Sequence, residues 1–544
     1  MHIQHVVRLS LVLFLSNYAH GETQLKNDCK PSNLESFHVD KIDIKAQTIF
    51  DETAKNTLNI HRWANKLHIN TREFVIAERL PFQQGDSVNL SDLGEAEALL
   101  RGQSYIANAA ITVLGICNAK EPNEIKVETQ DNWTLFPAFS LSRTGGRTSS
   151  LIGVSDANFL GLGIGARVRY TQDEQRSGYQ VSFSSAVHWI RHANVRLTLA
   201  NNDDGNQYRF TFDKPFYHLG TNTRQFLQVN SDERTQDIFQ NDKTRNSLNT
   251  RTRFFRGAYG WRLHSNELNS SRLTVGFDSS NTEFEFDETS PSFNPLFLPE
   301  NRNYRYPWVS YEYLQRNIVV MHDVHLIKQP EDINLGWRYR VQLGLETNDV
   351  RENSDLGYHI NASANRAFKI ENWLLLLDSR FNAILNTSAK DFIRSSNKVE
   401  IFYRKNRALG YYGRVSADFS TGQFIDRPLV IDDDNGVRGY PLQYQHGDHR
   451  ISASAEARFY TNYNIYQFFE LGFATFIDAG RAYQGELSAF NEDDGVLGSI
   501  GLGARFYSNK ATNTGVIHVD LTFPLTNGEG VDTLAWSAQL RRSF

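Results

Sequence analysis

The sequence predicts a mostly β protein: a transmembrane antiparallel β-barrel preceded by one small α/β domain. Three observations predict it. The chain opens with an export-type segment, "MHIQHVVRLSLVLFLSNYAHGETQ", in which Arg8 precedes an apolar run from Leu9 to Leu15 and small residues follow at Ala19 and Gly21. Such a run is too short to span a bilayer and has the layout of a cleaved secretory signal. After Trp133 the chain alternates apolar and polar residues in segment after segment, and the polar face is rich in arginine. No stretch approaches the ~18 uninterrupted apolar residues of a transmembrane helix. Composition agrees with extended sheet, since Phe (36), Tyr (23) and Gly (36) are plentiful among 544 residues and Met and Cys number two each. A net charge of −5 and a mean hydropathy of −0.48 point away from nucleic acid as a partner.

Residues 1–21 read as the signal peptide and are set aside from the fold. Cys29 and Cys117 are the two cysteines. In an oxidising compartment a lone pair is expected to form a disulfide, because a metal site would need more ligands; two unpaired thiols are the alternative.

Residues 37–130 read as the small domain. "FHVDKIDIKA" is strand-like, and Ile60, Trp63, Ala64 and Leu67 follow at helical spacing. In "GDSVNLSDLGEAEALLRG", Asp92 with Glu95 three residues on marks a helix start. Leu93, Ala96 and Leu100 form its stripe, and Gly102 ends it. "YIANAAITVLGI" and "NEIKVETQ" close the domain as two strands.

Residues 132–544 read as the barrel. "NLGWRYRVQLGLE" sets Leu335, Trp337, Tyr339, Val341, Leu343 and Leu345 against Asn334, Gly336, Arg338, Arg340, Gln342, Gly344 and Glu346. "ARVRYT", "NVRLTLA" and "YRFTFD" repeat the pattern, and period 2 puts each set on its own face. A soluble sandwich also alternates, but its apolar faces need a second layer. A membrane barrel turns them to lipid and lines a wet lumen with the charges. Closure also leaves no unpaired edge. The aromatics of "KPFY" and "RYPWVSYEY" suit interfacial girdles. Segmentation gives about 16 to 20 candidate strands.

The loop "DNGVRGYPLQYQHGD" before the strand starting near Ile451 carries the residues Val437, Arg438, Gly439 and Tyr440. With four other segments it forms an ordered set. "FIDAG" holds Phe476, Asp478 and Gly480; "GVIHVDLTFPL" holds Asp520 and Pro524; "SDANFLGLG" lies early in the barrel; and the chain ends on Phe544. This set resembles the BamA/TamA/FhaC superfamily of outer-membrane assembly and translocation barrels, also called bacterial surface antigens. The small domain resembles a POTRA domain, a periplasmic docking unit.

The resemblance implies sixteen strands and a loop, residues 421–449, that folds inward with its VRGY tip on the lumen wall. It makes Asp478 the carboxylate partner of Arg438, with Glu456 the second candidate. Strands beginning near Ile451, Tyr466, Leu497, Gly515 and Leu534 would follow the loop. It also implies a weak seam between residues near Trp133–Arg143 and Leu534–Phe544. Two features depart from the pattern: a single POTRA-like unit, and Arg542 inside the C-terminal "WSAQLRRSF".

The function implied is non-enzymatic: inserting or transporting polypeptide, with lipid as the lesser variant, at the bacterial outer membrane. The partners would be outer-membrane lipids, a client such as an unfolded outer-membrane protein, and a periplasmic accessory protein at the POTRA-like domain. No cofactor and no metal are implied. A passive pore is the alternative. An outer-membrane hydrolase is the less favoured class, because neither G-x-S-x-G nor H-E-x-x-H occurs and His188, His192, His446 and His449 lack a convincing nucleophile. "GLGIG" at Gly161 reads as a tight turn rather than a phosphate loop. Asp432 to Asp434 read as a solvated run rather than a cation site.

Overall fold

A computed structural model describes residues 36–50, 58–114, 123–144, 147–287, 294–347, 350–352, 355–466, 468–508 and 515–541. Cys29, Cys117, Arg542, Phe544 and the signal segment lie outside the described residues.

The N-terminal unit is built on a three-stranded sheet. Lys41–Gln47 runs parallel to Glu124–Asp131, which pairs antiparallel with Ile106–Leu114. Helices Asn59–Leu67, Glu73–Arg79 and Leu90–Arg101 precede the last two strands. Leu93, Ala96 and Leu100 bury the stripe of the last helix against Val75, Ile76, Ile111, Ile125 and Val127. Its start differs from the expectation. Asn89 is the N-cap, and its side chain and that of Asp92 reciprocally accept backbone N–H groups, so Asp92 lies one turn inside. On the first helix Trp63 is exposed, whereas His61 and Asn65 are buried. Polar partners explain the reversal. Asn65 bonds both N–H and C=O of Phe50, and His61 stacks on the Phe50 ring at 4.4 Å.

The rest of the chain closes into one antiparallel barrel of twenty strands, which corrects the expected sixteen. Five strands follow the VRGY loop, from His449–Ile465 to Ala535–Arg541, and fifteen precede it. The surplus lies in that first part, where the strands run from 9 to 23 residues. Even the shortest is long enough to cross a bilayer alone, since ~9 residues suffice. Short alternating segments are therefore separate strands, not halves of longer ones.

Alternation sorts the faces. Val341, Leu343 and Leu345 are exposed on the outside, as are Ile393, Ile401, Val415, Ile477, Ile500 and Leu502. Glu312, Glu346, Glu400, Asp418, Glu456, Asp478, Arg458 and Arg505 are buried inside. An apolar exterior around a charged interior is the arrangement lipid demands. An aromatic belt follows the outer rim nearest the N-terminal unit: Tyr259–Trp261, Tyr313–Tyr339, Trp373–Tyr403 and Tyr403–Tyr411 make ring contacts.

Of the two segments expected in such a belt, "RYPWVSYEY" contributes Tyr313 to it, while its earlier aromatics and "KPFY" behave otherwise. Tyr217 of "KPFY" donates to the Arg79 carbonyl at 2.5 Å and so holds the N-terminal unit. In "RYPWVSYEY", Tyr306 and Trp308 point inward and donate to Asp278.

The N-terminal unit sits against turns at one end of the barrel. Arg191 donates to the carbonyls of Leu80 and Phe82, and Arg316 pairs with Glu95. Gly161 and Gly163, both at positive φ, bring the "GLGIG" turn so close that a Cβ would lie 2.3 Å from the Asn70 carbonyl and 2.7 Å from a Val75 methyl. At the opposite end the long hairpin Thr223–Gln240/Lys243–Ser265 reaches over the mouth. Gln240 donates to the Leu487 carbonyl and Asn241 to that of Phe490.

Candidate functional site

The site lies on the lumen wall beneath the loop between Leu409–Thr421 and His449–Ile465. Within the loop, Leu429–Ile431 pairs with Gln445–Gly447, and the apex between them is organised by carboxylates. Asp432 accepts the N–H groups of Asp434, Asn435 and Gln443 and the side-chain amide of Asn435. Asp433 accepts the Gly439 N–H at 2.7 Å. The acidic run thus shapes the turn, which its composition alone did not reveal.

Arg438 leaves this apex and enters the wall. Its Nε donates to Asp478 Oδ2 at 2.6 Å and its Nη2 to Asp478 Oδ1 at 2.9 Å, a bidentate pair. Nη2 also donates to Glu456 Oε1 at 3.1 Å and Ser454 Oγ at 3.3 Å. Both carboxylates singled out from the sequence therefore meet the same guanidinium. Its carbon lies 3.4 Å from the Phe476 ring centroid, a cation–π contact. Strict alternation puts Phe476 and Asp478 on one face. The ring lies flat because Gly501 leaves room, where a Cβ would fall 2.2 Å from its tip.

The remaining motif residues make the close fit possible. Val437 is fully buried against Gly480, where a Cβ would lie 3.0 Å from a Val437 methyl. Gly439 at φ +93° faces Thr522 and Pro524, each with a carbon 3.0 Å from where its Cβ would be. Tyr440 donates to the Gly498 carbonyl at 2.8 Å and accepts the Thr526 N–H. Asp520 lies near this contact but pairs with Arg505 at 2.5 Å.

Three charged contacts escaped sequence reasoning. Arg302 makes a second bidentate pair with Asp426 of the loop, at 2.9 and 2.6 Å, between the rings of Phe284 and Phe424. Arg458 donates to Glu456 Oε2 at 2.9 Å, on the side away from Arg438. Arg505 is buried beside Asp520. Arginines on a polar strand face gave the only signal. The histidines hold structural positions: His188 pairs with Glu78, His192 stacks on Tyr217, His446 bonds the Phe239 carbonyl, and the Ser420 N–H reaches His449.

The barrel closes where Ala535–Arg541 meets Leu135–Thr144, and the register there is Trp536↔Arg143, Ser537↔Ser142 and Ala538↔Leu141. Among the described residues three pairs hold this seam, whereas the other neighbouring barrel strands share at least seven. The pairs cluster at the end away from the N-terminal unit. Among the described residues, Ala138–Ser140 therefore keeps one edge without a ladder partner.

Barrel, lipid-compatible exterior and inward loop define a transmembrane β-barrel with an occupied lumen. No family model matches the sequence, and no curated protein matches it. Among solved structures it is similar to CdiB from Acinetobacter baumannii, with a TM-score of 0.48 and 11% identity over 92% of this chain and 74% of that one. It is also similar to BamA from Haemophilus ducreyi lacking POTRA domains 1–3, with a TM-score of 0.41 and 10% identity over 92% and 84% of the two chains. The FrpB iron transporter of Neisseria meningitidis gives 0.40 and 8% over 80% and 83%.

Proposed function

We propose that this chain is an outer-membrane assembly or translocation factor of the BamA/TamA/FhaC type, which inserts or transports polypeptide without doing covalent chemistry. The observation that carries this reading is the seam, with three pairs among the described residues, beside a docked VRGY loop. A half-open edge exposes backbone N–H and C=O groups that an incoming strand can pair with, which is β-augmentation.

In this reading residues 1–21 are removed on export, and the POTRA-like unit of residues 37–130 lies in the periplasm. Among the described residues, the two outer strands of its sheet, Lys41–Gln47 and Ile106–Leu114, each keep a free edge for a client segment or an accessory protein. A Cys29–Cys117 disulfide would tie the tail to this unit, and free-thiol labelling of the non-reduced, denatured protein tests it. A passive pore would need an open lumen, whereas the VRGY loop occupies this one.

Depletion followed by outer-membrane proteomics tests the function. Loss of many barrels would identify a general insertase, and loss of one protein a dedicated transporter. An unchanged proteome with altered solute permeability would overturn the proposal in favour of the pore.

A further inference from the structure

Among the described residues, the connections at the barrel end facing the N-terminal unit are no longer than the stretch 215–222, with one exception. Residues 316–337 form a hairpin of their own, Ile318–His322 with Pro330–Asn334. We propose that this hairpin is a plug that closes the lumen at the end facing the N-terminal unit.

The tip is preformed. The Glu331 carboxylate accepts the N–H groups of Val324, His325 and Leu326 at 3.0–3.1 Å, and Asp323 accepts that of Lys328 at 2.7 Å. Asp323 and Lys328 both stand at positive φ, which gives the sharp reversal. A tip fixed in this way loses little further freedom on docking.

It docks on lumen-facing side chains. Val324 packs with Ala367, Leu374, Phe402 and Tyr412, and the fully buried Ile327 with Tyr460, Ala474, Tyr507 and Val516. These contacts stretch round the wall from Gly357–Ile370 to Val516–Pro524, one strand short of the seam strand Ala535–Arg541.

Polar latches hold the tip. Arg404 pairs with Asp323 at 3.1 Å and Lys328 with Glu470 at 2.8 Å. Arg458 donates to the Val324 carbonyl at 3.2 Å and Tyr460 to that of Asp323 at 3.1 Å.

Two features make the hairpin a plug and not a piece of wall. Its strands pair only with each other, so it can leave without breaking a barrel ladder. It is also joined to the VRGY loop, because Glu456 accepts from Arg458 on one side and from Arg438 on the other. Withdrawing the tip removes a partner of Arg458 and so disturbs the carboxylate that Arg438 shares.

Single-channel recording of the full chain in planar bilayers tests this. The native protein should conduct little, and replacing residues 318–334 with a short Gly-Ser turn should raise conductance several-fold. A second variant, Asp323→Asn with Glu470→Gln, leaves a side-chain oxygen for the Lys328 N–H and the apolar contacts in place and removes both ion pairs. It should open more often, by several-fold, than the native protein. Unchanged conductance in the double variant, or a native protein that already conducts like the shortened one, would overturn the plug. Proteomics after depletion reads the assembly function separately. If the other outer-membrane proteins persist while the shortened hairpin conducts, the plug stands and the assembly reading falls.

Discussion

Arg438 concentrates the energetics of the docked loop in one side chain. Its removal leaves Asp478 with only the Ser454 hydroxyl and the more distant Arg438 backbone N–H. Breaking a buried pair on one side costs ~3–5 kcal/mol. Arg438→Ala should therefore lower urea resistance of the folded barrel by that order. Asp478→Ala should cost less, because Glu456 still accepts from the guanidinium. The double variant should be little worse than Arg438→Ala; additive losses would show that the two do not interact. Gly439→Ala tests the backbone. At φ +93°, with Thr522 and Pro524 in the way, it should cost ~1–3 kcal/mol, seen as easier protease cleavage of the loop. His446 supplies a pH dependence. Burial lowers its pKa to about 4, below the usual ~6.5, so the unfolded chain binds the extra proton first. The stabilisation is present above pH ~6.5 and is lost as pH falls through 4, by ~3 kcal/mol in all. Protease protection of the loop should fall across that window, and His446→Gln should flatten the change.

Among the elements, the closing pair of strands gives the clearest test. Ser142 and Ser537 face each other in register. Replacing both by cysteine should give a reversible cross-link that leaves the barrel folded and, under the proposed assembly function, blocks client insertion. A cross-linked protein that still restores a depleted strain would remove the seam from the mechanism. The five strands after the loop were legible because each is a clean alternating run bounded by turn residues. Those before it were segmentable too, but the resemblance to a sixteen-stranded pattern outweighed the residues. The plug hairpin was not legible. "NIVVMHDV" is a short apolar run and "QPEDINLGW" leads straight into an alternating strand, and nothing local tells a strand of the wall from one inside it. Leu335 shows the consequence: assigned to the lipid face, it packs on the plug cluster, and the wall strand starts only at Arg338. Arg438 and Asp478, by contrast, were legible as a pair only through the motif, since 40 residues separate them and no periodicity links a loop to a distant strand.

For the whole molecule, lipid-facing alternation implies that membranes hold it firmly. It should resist extraction by alkaline carbonate, and unboiled samples should migrate faster in SDS than boiled ones; release by carbonate would contradict a spanning barrel. Strand number has its own geometric consequence. A barrel's diameter grows about linearly with its strands, so twenty instead of sixteen enlarges the cross-section by roughly half. Side chains on the wall have fixed reach and cannot fill the added area. The extra space must hold either water or more chain. Here the loop with Arg438 and the hairpin with Ile327 project into it from opposite ends. The wider wall and the inner hairpin are then one adaptation: a cylinder with four more staves needs a thicker stopper.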